Sequence, residues 1–179
     1  MKACLSPPAT APDTPERDWS NGGLVPRAKA PVPAPSPAVH YGTGGNLDKS
    51  AYSNSSKSFH EIRLSGLEPS TQYQYQVDAG GILSAQSSFR SAKMVWEPFK
   101  LIFYGDSRSD PSAHSSVCAA IAQEQPDLVF NVGDLVYDGH EDSEWDQMHF
   151  GPAGGLMANV PMYPTLGNHE HHAEQYYKY

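Results

Sequence analysis

Two short apolar runs, separated by a segment with helical spacing, constrain the fold of this chain most strongly. The runs cover residues 99–104 and 128–132, and each has the length of a buried strand. Between them, Asp110 and Pro111 mark a helix start, and the helical spacing continues to about Gln125. Strand, helix and strand with short connections predict a βαβ unit of a parallel sheet whose strands are covered on both faces.

The chain after this unit offers two further elements. A second helix is predicted over about residues 142–150, and residues 162–166 are expected to form a third strand end. The predicted α/β part of the chain therefore runs from residue 98 to residue 179.

Residues 37–93 show a different pattern, typical of short antiparallel strands. Tyr73, Tyr75 and Val77 alternate with glutamines, as in a strand with one buried face. This run resembles the corner between strands E and F of fibronectin type III domains, in which a tyrosine hydroxyl, here that of Tyr73, bonds back to the corner. An ordinary antiparallel hairpin is the alternative interpretation.

The first 36 residues are rich in proline and show neither a helical nor a strand period, so we predict a disordered or linker segment. The resulting organisation is a linker over residues 1–36, a β-module over residues 37–93 and an α/β part over residues 98–179. Because no strand pattern precedes residue 37, the module is expected to be incomplete at its front.

Charge, hydropathy and cysteine content argue against several classes of partner and of protein. The net charge is −8 and lysines and arginines do not cluster, which argues against a nucleic-acid or anionic-membrane partner. No apolar run is long enough to span a bilayer, and the first residues lack the apolar core of a signal peptide. Two cysteines, Cys4 and Cys118, do not form a disulfide framework. A phosphate substrate would need local positive charge, for which metal ions are one source.

Three short polar motifs stand where the predicted strands end. Because ligands bind at the carboxyl ends of strands in open α/β sheets, we expect the motifs to meet at one site. Each begins with a glycine, which lets the backbone pass close to a ligand. They are Gly105-Asp106-Ser107-Arg108, Gly133-Asp134-Leu135-Val136-Tyr137 and Gly167-Asn168-His169-Glu170.

In this order the motifs resemble the opening motifs of the calcineurin-like metallophosphoesterases. With a tyrosine three residues after the second aspartate, the second motif resembles that of the purple acid phosphatase branch. This branch often carries a fibronectin-like module in front of its catalytic domain. The resemblance implies an α+β two-domain chain, with a partial fibronectin III-like β-sandwich followed by the first βαβ part of an α/β metallophosphoesterase sandwich. It also implies hydrolysis of phosphate monoesters at a dinuclear metal centre, of acid phosphatase type.

The resemblance assigns a role to each motif residue. Asp106 would bind the first metal, Asp134 would bridge both, Tyr137 would bind the first as tyrosinate, and Asn168 would bind the second. His169 would hydrogen-bond or protonate the leaving oxygen. Because free tyrosine titrates near pH 10, a strongly charged ion such as Fe(III) is expected at Tyr137, paired with Fe(II), Zn(II) or Mn(II).

Arg108 departs from the family pattern, in which histidine or glycine is common at this position. A guanidinium cannot be a metal ligand, but it can contact phosphate oxygens through two nitrogens. The alternative is a surface arginine paired with Asp110. His171 and His172 follow the third motif directly and are weaker candidates for contact with the site.

The sequence is compatible with two other functions. One is a metallophosphodiesterase or protein phosphatase on the same scaffold, and the other is a non-catalytic binding module. By the resemblance, further histidine ligands lie in downstream motifs, whereas the sequence ends at Tyr179. We therefore expect a fragment with weak or no activity in isolation. The resemblance favours a secreted or extracytoplasmic parent protein, and the oligomeric state is left open.

Overall fold

A computed structural model describes residues 27–29, 37–53 and 59–179, and these residues form two compact units. The first unit holds the described residues up to Pro98, and the second runs from Phe99 to Tyr179. The first unit contains an antiparallel sheet and the second a parallel sheet, which confirms the predicted α+β organisation. Cys4 and most of the predicted linker lie outside the described residues.

The first unit is built from six strands within the described residues. A four-stranded antiparallel sheet has the order β3-β2-β5-β6, and β1 pairs with β4 in a second, two-stranded sheet. Their bounds are β1 Arg27–Lys29, β2 Ala38–Gly42, β3 Lys49–Tyr52, β4 Phe59–Glu61, β5 Gln72–Asp78 and β6 Ser87–Arg90.

Strand β1 lies inside the segment predicted to be a linker. It pairs antiparallel with β4, so that Ala28 stands opposite His60. At residues 27–29 the linker prediction therefore differs from the structure. The local sequence offers no strand pattern there, and the pairing depends on a partner about 30 residues further along the chain.

The core of the first unit follows the alternation seen in the sequence. Tyr73, Tyr75 and Val77 of β5 are buried, whereas the glutamines between them are not. Ile62 and Leu64, which follow β4, are buried in the same apolar cluster. The backbone N–H of Glu68 donates to the Tyr73 hydroxyl at 2.9 Å, so the hydrogen bond predicted for the corner is present.

The second unit has a three-stranded parallel sheet in the order β7-β8-β9. Its strands are β7 Leu101–Tyr104, β8 Leu128–Asn131 and β9 Met162–Pro164. Helix α1, Pro111–Gln123, connects β7 to β8, and the Asp110 carboxylate caps it by accepting from the N–H groups of Ser112 and Ala113. The predicted βαβ unit is thus confirmed, with the helix starting where the sequence indicated.

A helical segment connects β8 to β9. It comprises α2, Asp142–Glu144, a π-helical turn over Trp145–Phe150, and α3, Gly151–Met157. The segment extends seven residues beyond the predicted end at Phe150. A last short helix, α4, spans Glu174–Lys178.

The two faces of the parallel sheet differ in burial. Val129 and Met162 lie on one face and are at most 1% exposed. On the other face Leu101 is 43% and Phe103 is 61% exposed, so β7 is not covered on both sides as its apolar sequence predicted. Its four apolar residues alternate between the faces: Ile102 and Tyr104 are half-buried on one face, and Leu101 and Phe103 are exposed on the other.

Candidate metal and phosphate site

The carboxyl ends of the three parallel strands bring the three motifs to one edge of the sheet. Each strand is followed at once by a loop that stays in contact with its neighbour. Val132 N–H donates to the Tyr104 carbonyl at 2.7 Å, and Thr165 N–H donates to the Asn131 carbonyl at 2.8 Å. Asp106 N–H then donates to the Gly133 carbonyl at 3.1 Å. The convergence expected from the strand order is therefore present.

The second and third motif loops pack backbone against backbone. Gly133 has φ 103°, and a Cβ atom on it would lie 2.9 Å from the Gly167 Cα atom. A Cβ atom on Gly167 would overlap the backbone nitrogen and the carboxylate of Asp134. These glycines are required by the contact between the two loops, a different reason from the ligand approach anticipated from the sequence.

Two aspartates of the site adopt the left-handed backbone conformation. Asp106 has φ 53° and Asp134 has φ 56°, a region that residues other than glycine rarely occupy. The Asp106 side chain is 79% exposed, whereas that of Asp134 is only 12% exposed. The site therefore combines one open carboxylate with one that is nearly buried.

Arg108 joins these two carboxylates through a single nitrogen. Its Nη1 lies 2.9 Å from Asp106 Oδ1 and 2.7 Å from Asp134 Oδ2. The hydrogen bond that Arg108 donates to Asp106 is the main reason that the pKa of Arg108 is raised; burial opposes this rise, and the charges of Asp134, Asp106 and Tyr137 add to it. The surface pair with Asp110 is not formed, because the Asp110 carboxylate caps α1 instead. Arg108 is thus part of the site.

His169 contacts both the second aspartate and the motif tyrosine. Its backbone N–H donates to Asp134 Oδ1 at 3.2 Å, and its Nδ1 lies 2.8 Å from the Tyr137 carbonyl. Because a carbonyl can only accept, Nδ1 carries the hydrogen in this contact. The Nε2 atom of a neutral His169 is then an acceptor. The Tyr137 ring lies edge-on to the imidazole with centroids 5.2 Å apart, and it is 59% exposed.

The remaining candidates lie at the rim of the site. Asn168 is exposed, and its backbone carbonyl accepts the backbone N–H of His171 at 3.3 Å. The centroid of the His171 ring lies 6.2 Å from those of His169 and His140, which gives a group of three imidazoles; His140 and His171 are exposed and His169 is half-buried. His172 is exposed as well.

Two buried side chains hold the loops in position. Neither was assigned a role from the sequence motifs. Glu170 is 0% exposed, and its carboxylate accepts the N–H groups of Asp134 at 3.1 Å, Leu135 at 2.6 Å and Gly167 at 2.5 Å. Asn131, also 0% exposed, accepts the Gly133 N–H at 3.2 Å. Glu170 was visible as the last residue of the third motif, but only the fold shows what it binds.

The donor types at this edge suit hard cations. Carboxylate, phenol and amide oxygens from Asp106, Asp134, Tyr137 and Asn168 are the ligands that such ions prefer. One guanidinium nitrogen reaches both carboxylates, so their oxygens lie close enough to serve neighbouring cations. Among the described residues, no three His, Cys, Asp or Glu side chains cluster as a metal-ligand group. The oxygen donors fit a metal centre.

Family models match both units. Residues 28–91 match the purple acid phosphatase N-terminal domain, and residues 99–179 match the calcineurin-like phosphoesterases. The resemblance stated from the motifs is confirmed.

Solved structures show the same fold. The purple acid phosphatase PPD1 from yellow lupin (Lupinus luteus) seeds matches with a TM-score of 0.70 and 17% identity, over 94% of this chain and 35% of that one. A structure of PhoD matches with a TM-score of 0.61 and 15% identity, over 83% of this chain and 37% of that one. The chain therefore spans little more than a third of these structures. No curated protein sequence matches it.

The helices of the described residues give no sign of a membrane span. None of them is both long and apolar enough to cross a bilayer.

Proposed function

We propose that this chain contributes the first part of a phosphatase that hydrolyses phosphate monoesters at a dinuclear metal centre. The observation that carries the proposal is the meeting of Asp106 and Asp134 at one edge of a parallel sheet, within reach of one guanidinium nitrogen. The match of residues 99–179 to the calcineurin-like phosphoesterases supports the reaction class, which is phosphoester hydrolysis. The monoester substrate and the metal pair are our inference.

In this proposal, the oxygen donors hold the metal ions. Asp106 would hold the first ion, Asp134 would contribute to both, Tyr137 would hold the first as tyrosinate, and Asn168 would hold the second. Fe(III) beside Fe(II), Zn(II) or Mn(II) suits this donor set, because only a strongly charged ion keeps a phenol deprotonated near neutral pH. Bound there, the ions would neutralise phosphate charge and lower the pKa of the attacking water.

The other site residues would act on the substrate. Since Nδ1 of His169 is committed to the Tyr137 carbonyl, a protonated His169 presents an Nε2–H that can donate to the leaving oxygen. The guanidinium of Arg108 has further N–H groups that suit the non-bridging phosphate oxygens. An extracytoplasmic location belongs to the same proposal and rests on the family resemblance.

The metal centre can be tested by absorption spectroscopy of the purified chain with added Fe(III). We expect a visible tyrosinate-to-iron band that disappears in Tyr137→Phe and that is strongly weakened in Asp134→Asn. Tyr177→Phe is the matched control, because Tyr177 is half-exposed in the same unit and belongs to none of the three motifs. A band that survives Tyr137→Phe and is lost in the control would contradict the assignment.

The reaction itself can be tested with the protein isolated from its source. We expect hydrolysis of p-nitrophenyl phosphate to exceed that of bis-p-nitrophenyl phosphate, and to be lost in Asp134→Asn. A preference for the diester would show that the scaffold serves a phosphodiesterase instead.

A further inference from the structure

Arg108 lies where the two site carboxylates come together. Its Nη1 is within 2.9 Å of Asp106 Oδ1 and 2.7 Å of Asp134 Oδ2, so one nitrogen serves two negative groups. The Arg108 side chain is 21% exposed and that of Asp134 is 12% exposed. Water therefore screens this contact less than it would an ion pair on an open surface.

The same oxygens are those that a cation would need. Asp134 Oδ2 contacts Arg108, and Asp134 Oδ1 accepts the His169 N–H at 3.2 Å. An ion held by both carboxylates would thus meet the guanidinium at Oδ2. Arginine has no lone pair to offer a metal and stays charged at all ordinary pH values, so the guanidinium and a metal ion at that oxygen repel each other and compete for it.

We propose that Arg108 is an internal counter-ion that competes with metal ions for Asp106 and Asp134 and thereby sets the metal affinity of the site. The inference rests on the proposed metal centre. It adds to the phosphate-binding role proposed for Arg108, because a guanidinium released from the carboxylates has its N–H groups available for an anion.

Replacing Arg108 by glutamine removes the competing charge. The two carboxylates then repel each other in the absence of a cation, and this repulsion adds to the gain in metal affinity. Lysine keeps a positive charge but offers only a single point of contact, so Arg108→Lys should fall between the wild type and Arg108→Gln.

The decisive experiment is calorimetric titration of Mn²⁺ into the chelator-treated 179-residue chain. We expect Arg108→Gln to bind Mn²⁺ about tenfold more tightly than the wild type, the change produced by roughly 1.4 kcal/mol. Arg63→Gln is the matched control, since Arg63 is exposed in the first unit and should leave the affinity unchanged.

A second measurement does not involve the metal. Without added metal, Arg108→Gln should lower the thermal midpoint of the chain, and the same substitution in an Asp134→Asn background should lower it much less. Both results together support the counter-ion role.

The outcomes separate the two proposals. Equal Mn²⁺ affinity of wild type and Arg108→Gln would overturn the counter-ion inference while leaving the metal centre in place. Failure of every variant to bind either Mn²⁺ or Fe(III) would contradict the proposed function, and the inference would fall with it.

Discussion

The carboxylate of Glu170 connects two loops that are more than 30 residues apart in sequence. It accepts N–H groups from Asp134 and Leu135 on one loop and from Gly167 on the other, and it is fully buried. A carboxylate can accept at both oxygens, which an amide side chain cannot do. The spacing of the site residues therefore depends on a side chain whose hydrogen bonds go to backbone N–H groups of the loops.

Glu170→Gln should destabilise the second unit by about 3 kcal/mol, because the glutamine NH₂ group would face backbone donors and leave them unpaired. Urea unfolding measures the change. Glu174→Gln is the matched control, since Glu174 is exposed a few residues away. A loss equal to that of the control would show that the loops do not depend on this carboxylate.

Single residues also show how far the sequence allowed the site to be predicted. Asp106, Asp134 and His169 could be proposed because each follows a strand end, and strand order then brings them together. The partner of Arg108 could not be predicted, because Asp134 lies 26 positions away and approaches only after the strands pair. Local sequence instead suggested Asp110, which has its own role as a helix cap.

At the scale of secondary-structure elements, the corner before β5 depends on one hydroxyl. The Glu68 N–H has the Tyr73 hydroxyl as its acceptor, while the Tyr73 ring stacks on Phe89 with centroids 5.4 Å apart. Tyr73→Phe keeps the ring and removes the acceptor, so it should cost about 1 to 2 kcal/mol of unfolding free energy. Chemical denaturation tests this against Tyr52→Phe, because Tyr52 is 65% exposed. Equal effects of the two substitutions would argue against a role for the corner.

The elements missed by sequence reasoning are those held by tertiary contacts. Strands β3 and β6 were not predicted, since Lys49–Tyr52 and Ser87–Arg90 are short and carry few apolar residues. Helix α3 contains three glycines, which are poor helix formers, and so the predicted helix ended at Phe150. Burial of Ala153, Leu156 and Met157 on one face outweighs that low propensity.

At the scale of the whole molecule, stability should depend on pH through His114. This side chain is 3% exposed and connects its own helix α1 to two other elements. Its Nδ1 lies 2.7 Å from the Met148 carbonyl in the π-helical turn, and its Nε2 lies 3.1 Å from the Tyr104 hydroxyl in β7. Burial lowers the pKa of His114 below its usual value near 6.5, and the hydrogen bond to Met148 opposes this only in part. The unfolded chain therefore binds more protons than the folded chain in mildly acidic solution.

Because of this difference, the free energy of unfolding should be highest above pH 6.5 and should fall as the pH drops below it. His114→Asn, in which the amide replaces the Nδ1 donor, should flatten this dependence between about pH 5 and pH 7. Thermal unfolding at several pH values measures it, with His172→Asn as the exposed control. A slope that is the same in all three proteins would exclude His114 as its source.

The close packing of Gly133 on Gly167 has a consequence for how such a site can be redesigned. At Gly133 and Gly167 the two loops meet through main-chain atoms, which every amino acid possesses, and the Glu170 carboxylate holds the loops together beside this contact. Chemists who wish to alter the selectivity of the centre can therefore exchange its donor groups one at a time, while the frame that spaces them is retained.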